Sequence, residues 1–200
     1  MKQRKPTVEE VRAAHGKLLP DILVQDLDVL FCGINPGLYS AAIGYHFARP
    51  GNRFWPALHA SGFTSDRLEP SEQEEMLRFG CGLTNLVARA TSVAAELSTE
   101  ELRDGRAILE TKVGEYRPAW VAVLGKGAYQ KAFGCPKAEF GRQEEELAGA
   151  GLWLLPNPSG LNAHYQPPAL AELFGELREV IRGQGGRKGS SKRKRKDHAG

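Results

Sequence analysis

Two hydrophobic patterns alternate along this chain. The first is the short unbroken apolar run of a strand buried on both faces. It occurs at Asp28–Ile34, most clearly at Ala119–Gly125, and again at Leu152–Leu155, with a weaker strand or turn at Gly82–Leu86. The second is helical spacing. Val8, Val11, His15, Leu18 and Leu19 follow a Thr7/Glu10 capping box, and Leu102, Leu109, Val113 and Tyr116 follow a second box at Ser98/Glu101. Residues 52–60 place Phe54, Trp55 and Leu58 inward, and residues 71–79 read as an exposed helix. Lys126 starts another helix directly after a strand. The last helix carries Leu170, Leu173, Phe174, Leu177, Val180 and Ile181 at i, i+3, i+4 and i+7.

Apolar strands alternating with amphipathic helices predict an α/β fold, a three-layer α/β/α sandwich around a mostly parallel sheet. In such sheets ligands bind beyond the carboxyl ends of the strands. Two strands here end in Asn-Pro loops, Asn35-Pro36-Gly37 and Asn157-Pro158-Ser159-Gly160. Both loops are expected on the same sheet edge. The pattern predicts one domain over residues 7–182, preceded by a basic extension at 1–6 and followed by a basic tail at 183–200.

Charge sharpens those boundaries. The net charge is +3. Residues 187–200 contain seven Lys/Arg and one Asp, and residues 1–6 add three cations, which leaves the body at −6. The tail has nothing apolar to bury and is expected to be disordered, either as a solubiliser or as a salt-sensitive tether for a polyanion. No apolar run approaches the ~20 residues of a membrane helix, and the N-terminus lacks an apolar signal region. A cytoplasmic monomer with no membrane contact is expected. The three cysteines, Cys32, Cys81 and Cys135, form no C-x-x-C pair and read as free thiols.

Gly33-Ile34-Asn35-Pro36-Gly37 alone is equally an ordinary strand-terminating turn. No G-x-x-x-x-G-K-[ST] loop or G-x-G-x-x-G fingerprint is present, and Gly125-Lys126-Gly127 has the wrong spacing for a phosphate loop. The set of motifs is more specific. Gly33–Gly37, then Gly44-Tyr45-His46-Phe47, then Asn52-Arg53-Phe54-Trp55 closely resembles the first motif region of the mismatch-specific uracil–DNA and thymine–DNA glycosylases. Leu155–Leu161 resembles their second motif, and Cys81–Val87 and Tyr116-Arg117-Pro118 also fit. The resemblance spans about residues 22–182. It implies the uracil–DNA glycosylase fold, with a sheet of about four strands.

What the resemblance implies for function is hydrolysis of the N-glycosidic bond of uracil, notably opposite guanine, and of other damaged pyrimidines. The partner is double-stranded DNA carrying uracil or a mismatch, with single-stranded DNA as a second candidate. Such an enzyme flips the base out of the stack. Asn35 matches the residue that positions the attacking water. Ile34, Gly37, His46, Phe47, Asn85 and Asn157 are the candidate base pocket, with Phe47 stacking on the base. Ser159, Gly160, Leu161, Asn162 and Arg89 are the candidate DNA contacts, Leu161 as the wedge filling the vacated gap. Asn52 is expected to buttress its loop. Ala41, Ala42 and Ile43 are candidates near the pyrimidine C5, and His46 reads equally as a surface histidine.

An amide orients water but is a poor general base, so catalysis is expected to rest on positioning and on stabilising the departing base. Ala88 departs from the pattern, since many relatives carry an acid before the Arg. No lysine holds a motif position suited to attack on the sugar, which predicts a monofunctional enzyme. No metal cluster is evident and hydrolysis needs no cofactor. Two alternatives remain: a damaged-DNA-binding module of the same fold with weak or no catalysis, and an unrelated α/β nucleotide hydrolase.

Overall fold

A computed structural model describes residues 5–160 and 165–193, with side chains through residue 183. The elements run α1 (Val8–Arg12), β1 (Val29–Gly33), α2 (Leu38–Ile43), α3 (Phe54–Ala60), β2 (Cys81–Asn85), α4 (Thr99–Tyr116), β3 (Trp120–Leu124), α5 (Lys126–Phe133), β4 (Gly141–Leu147), β5 (Ala150–Leu155) and α6 (Pro167–Arg193). The sheet order is β2-β1-β3-β5-β4. The first four strands in that order are parallel, and β4 pairs antiparallel with β5.

Side chains alternate across the sheet with the two-residue strand period, and each face builds its own core. Val29 and Phe31 of β1, Trp120 and Ala122 of β3, and Trp153 and Leu155 of β5 face α3 and α6. Phe54 and Leu58 of α3 and Leu170, Phe174 and Leu177 of α6 cover them. Leu30 and Cys32, Val121 and Val123, and Leu152 and Leu154 face the other way, onto Leu102, Leu109 and Val113 of α4 and Tyr129 of α5. Phe31 sits among Phe54, Phe63 and Phe174, with ring centroids 5.2–5.7 Å away. Both expected capping boxes form, at Thr7/Glu10 and Ser98/Glu101.

Four differences from the sequence pattern have physical reasons. The sheet has a fifth strand, β4, which was not expected because Gly-Arg-Gln-Glu-Glu-Glu-Leu shows no apolar alternation. It forms an edge strand with only Leu147 buried, and charge on an edge opposes further pairing. Its hairpin to β5 turns on Ala148 (φ 47) and Gly149 (φ 86), the two positive-φ positions that a two-residue turn requires. Residues 70–79 are a 3-10 segment (Pro70–Phe79) rather than an α-helix; Gln73 and Met76 are its buried positions and Phe79 packs on the core, a spacing of three. Helix α2 was not expected, because six residues are too short a run to show a helical period, although Leu38, Ala41 and Ala42 pack with Ala14 and Ala90. Finally, α6 continues past residue 182 to Arg193, where disorder was expected. Packing of Leu170–Ile181 supplies the costly nucleus, and adding further turns costs little.

Candidate functional site

The site begins where β1 ends. After Gly33 the chain leaves the sheet through Ile34 and Asn35, while the carbonyls of Gly33 and Ile34 accept from Leu86 and Val87 N–H, both at 2.9 Å. The Asn35 side chain is fixed from one side. Its Nδ2 donates to Thr91 Oγ1 at 2.7 Å, to the Arg89 carbonyl at 3.1 Å and to the Pro36 carbonyl at 3.3 Å. Thr91 is held in turn: its hydroxyl donates to the Val93 carbonyl at 2.9 Å and its N–H to the Pro36 carbonyl at 3.2 Å. Three acceptors around the nitrogen assign the amide orientation, which leaves Oδ1 as an acceptor for another group.

Asn35 lines a cavity of ≈ 410 Å³. Its wall includes Gly33–Gly37 after β1, Asn85 at the end of β2, Leu124 at the end of β3, and Asn157 and Ser159 beyond β5. The cavity therefore lies at the carboxyl ends of all four parallel strands, the edge expected for a ligand. Gly33 is required at its base, because a Cβ there would stand 2.5 Å from Asn85 Oδ1 and 3.3 Å from Phe47 Cζ. Asn85 is buried, and its Nδ2 has no hydrogen-bond partner. A buried unpaired donor beside a cavity costs free energy until something polar meets it.

Phe47 forms one wall and stacks on Phe54, with centroids 4.2 Å apart and rings 23° from parallel. Its φ of 52 is strained for a bulky residue, so its surroundings must impose it. They do so through buried polar contacts. Gln73 Oε1 accepts from His46 N–H at 2.8 Å, Trp55 Nε1 donates to the His46 carbonyl at 3.2 Å, and Ser40 Oγ accepts from Ala48 N–H at 3.1 Å. His46 is not a surface histidine. It is 1% exposed, and its Nε2 donates to the Pro20 carbonyl at 2.9 Å while the residue borders the cavity. Burial holds its pKa below 6.5, opposed by the Pro20 carbonyl, so the ring is neutral near pH 7.

The second Asn-Pro loop closes on the first. Arg53 N–H donates to the Pro158 carbonyl at 2.9 Å, and Arg53 Nη1 reaches the Tyr165 carbonyl at 2.6 Å. Gly160 lies so close to Gly51 that a Cβ would stand 2.5 Å from its carbonyl oxygen. Asn157 both borders the cavity and forms a turn, its Oδ1 accepting from Ser159 N–H at 3.0 Å. Asn52 buttresses its loop as expected, accepting from Phe54 N–H at 2.9 Å. Leu161 and Asn162 lie outside the described residues.

Arg89, a candidate DNA contact, stands outside the cavity wall. Its Nε pairs with Glu101 at 2.7 Å, and its carbonyl holds Asn35. One expectation is corrected. Ala41, Ala42 and Ile43 are not in the cavity wall, where Ser40 is the α2 contributor. Leu19, Arg49 and the segment Thr91–Ala94 were missed. Thr91 carries no periodic signal; its only cue was its place two residues beyond Arg89.

Comparison with known proteins fits this geometry. The family model for the uracil DNA glycosylase superfamily matches residues 20–178. The chain belongs to that superfamily. Its fold is also that of a candidate uracil DNA glycosylase from Methanosarcina acetivorans solved by solution NMR. The match has a TM-score of 0.59 and 17% identity, and covers 82% of this chain and 98% of that one.

As a superfamily member the chain is a DNA glycosylase, with DNA as its partner. Among the described residues, His46 and Arg49 are the ionisable side chains of the cavity wall, and no carboxylate joins them. No group of three or more His, Cys, Asp or Glu among the described residues could hold a metal ion. Cys32 and Cys81 are buried, and desolvation raises both thiols, Cys81 to about 12. Neither is a nucleophile near neutral pH.

Proposed function

We propose that this DNA glycosylase hydrolyses the N-glycosidic bond of uracil in duplex DNA, notably opposite guanine, and leaves an abasic site in an intact strand. The observation that carries the reading is the one-sided anchoring of Asn35 in the wall of a ≈ 410 Å³ cavity, which leaves its Oδ1 as an acceptor for another group. The flipped uracil lies against Phe47. Asn85 Nδ2 donates to a base carbonyl, which ends its isolation. A water held by Asn35 Oδ1 adds to C1′ as the C1′–N1 bond breaks and the base leaves as an anion, and the proton the water sheds passes to that anion through solvent. Oδ1 cannot take the proton, so the rate comes from orientation and from stabilising the leaving anion. No lysine stands in the cavity wall among the described residues, which supports hydrolysis by water over covalent attack on the sugar. The protein acts as a monomer.

The test is a duplex with one uracil opposite guanine, incubated with excess protein and then treated with alkali. Strand scission at the uracil is expected, and none after prolonged incubation overturns the proposal. Asn35→Ala is expected to lose most turnover while still binding abasic DNA. A full single-turnover rate in that variant would remove Asn35 from the mechanism. The absence of a carboxylate among the described residues of the cavity wall favours one second reading, a damaged-DNA-binding module. Binding to uracil DNA without base release distinguishes it.

A further inference from the structure

Beside the base cavity run two clefts that the chemistry above does not use. One, of ≈ 270 Å³, is bordered by Lys5, Tyr39, Arg49, Arg67 and Glu69. The other, of ≈ 340 Å³, is bordered by Arg49, Gly51, Arg53, Ser159 and Gly160. Arg49 borders both clefts and the base cavity, so the three form one continuous surface.

This surface gathers three cations in one place. Lys5, Arg49 and Arg67 are exposed, face a single carboxylate at Glu69, and form no ion pair among the described residues. Elsewhere Arg78, Arg89, Arg106, Lys112, Lys126 and Arg182 each pair with an Asp or Glu. Three unpaired cations gathered on a body that is negative overall mark a place for an anion. Lys5 also lies outside the family-matched residues 20–178, so the N-terminal segment contributes to the patch.

We propose that this cleft holds backbone phosphates of the DNA strand as it leaves the base cavity on one side of the flipped nucleotide. The proposal rests on the DNA glycosylase reading, since the strand whose base enters the cavity must exit along a neighbouring surface. Arg49 stands at the exit, and Lys5 and Arg67 lie further along. Phosphate contacts fix register without reading sequence, so the cleft holds damaged and undamaged duplexes alike.

The experiment uses the full chain and a Lys5→Gln/Arg67→Gln double variant. Anisotropy titrations on an undamaged duplex and on one with an abasic-site analogue run across a range of salt. Each lost phosphate contact lowers the slope of log K against log salt by ~0.9. A fall of about one to two in slope is expected on both duplexes. A Lys131→Gln/Arg103→Gln variant removes the same charge from exposed positions on α5 and α4, and is expected to keep the wild-type slope. A wild-type slope in the first variant, or an equal fall in the second, overturns the cleft. So does loss of binding to a polyglutamate peptide with the DNA slope unchanged, because the cleft then serves an acidic protein. Uracil excision by the wild-type chain is measured separately. If excision is absent but the slope falls as expected, the proposed activity fails and the cleft stands.

Discussion

Thr91→Val tests the anchoring of Asn35 without touching Asn35. Valine keeps the shape of a side chain that is 1% exposed and removes its hydroxyl. Two hydrogen bonds disappear, the 2.7 Å bond from Asn35 Nδ2 and the 2.9 Å bond to the Val93 carbonyl. At ~1 kcal/mol net for each, unfolding free energy falls by about 2 kcal/mol. The effect on rate is smaller than complete loss, because the Arg89 and Pro36 carbonyls still favour the nitrogen on their side. The shortest anchor is gone, however, and about 1.4 kcal/mol of orientational preference corresponds to roughly tenfold in rate. The assay is single-turnover excision from a G·U duplex at saturating protein, paired with urea unfolding. Thr91→Ser keeps the hydroxyl and is expected to recover most of the rate. A folded Thr91→Val protein with a rate within about twofold of wild type would refute the idea that this anchor matters for catalysis.

Gln73→Leu is expected to lower stability by about 2 kcal/mol, since it strands the His46 N–H in a buried site. It is also expected to weaken base binding through Phe47; Gln73→Glu, which keeps the acceptor, should weaken it less. Single-turnover titrations of both variants check this. His46 gives a pH signature. Its folded pKa lies below its unfolded value of 6.5, so the unfolded chain binds the extra proton first. Stability should therefore fall as pH drops below 6.5, down to the lowered folded pKa, and His46→Gln should flatten that part of the curve. Urea unfolding at a series of pH values reads it, and an unchanged slope in the variant would exclude His46 as the source.

The layered fold was legible because its buried strands are continuous apolar runs and its helices keep their stripes. β4 escaped because an edge strand of Arg, Gln and Glu hides no apolar face. The segment at 70–79 reads as an exposed α-helix because its inward-facing Gln73 is polar, so the three-residue spacing of Gln73, Met76 and Phe79 leaves no apolar signal of a 3-10 turn. The motif loops placed Asn35, Phe47, Asn85 and Asn157 at one cavity, because parallel strands carry their carboxyl ends to one edge. The supporting layer was not legible. Thr91 and Gln73 act through single hydrogen bonds across loops distant in sequence, and neither periodicity nor composition records such contacts. At Arg89 the backbone serves the site, through a carbonyl that accepts from Asn35, and no side-chain pattern records that.

Ala88 can now be placed in this account. It is exposed and stands outside the cavity wall, and among the described residues no carboxylate lines that wall. A carboxylate near a breaking glycosidic bond favours the cationic sugar and opposes the anionic base. In this cavity the wall offers a neutral His46, an unpaired Asn85 donor and the Arg49 cation. All three favour or tolerate charge on the base, and none favours charge on the sugar. The barrier should then depend steeply on how well the base carries the electrons it leaves with. Under the proposed activity, 5-fluorouracil, whose ring fluorine withdraws electrons, should be released faster than uracil from otherwise identical duplexes at saturating protein. Equal single-turnover rates for the two bases would mean that bond breaking is driven from the sugar side, and that a charge outside the described cavity wall supplies what Ala88 does not.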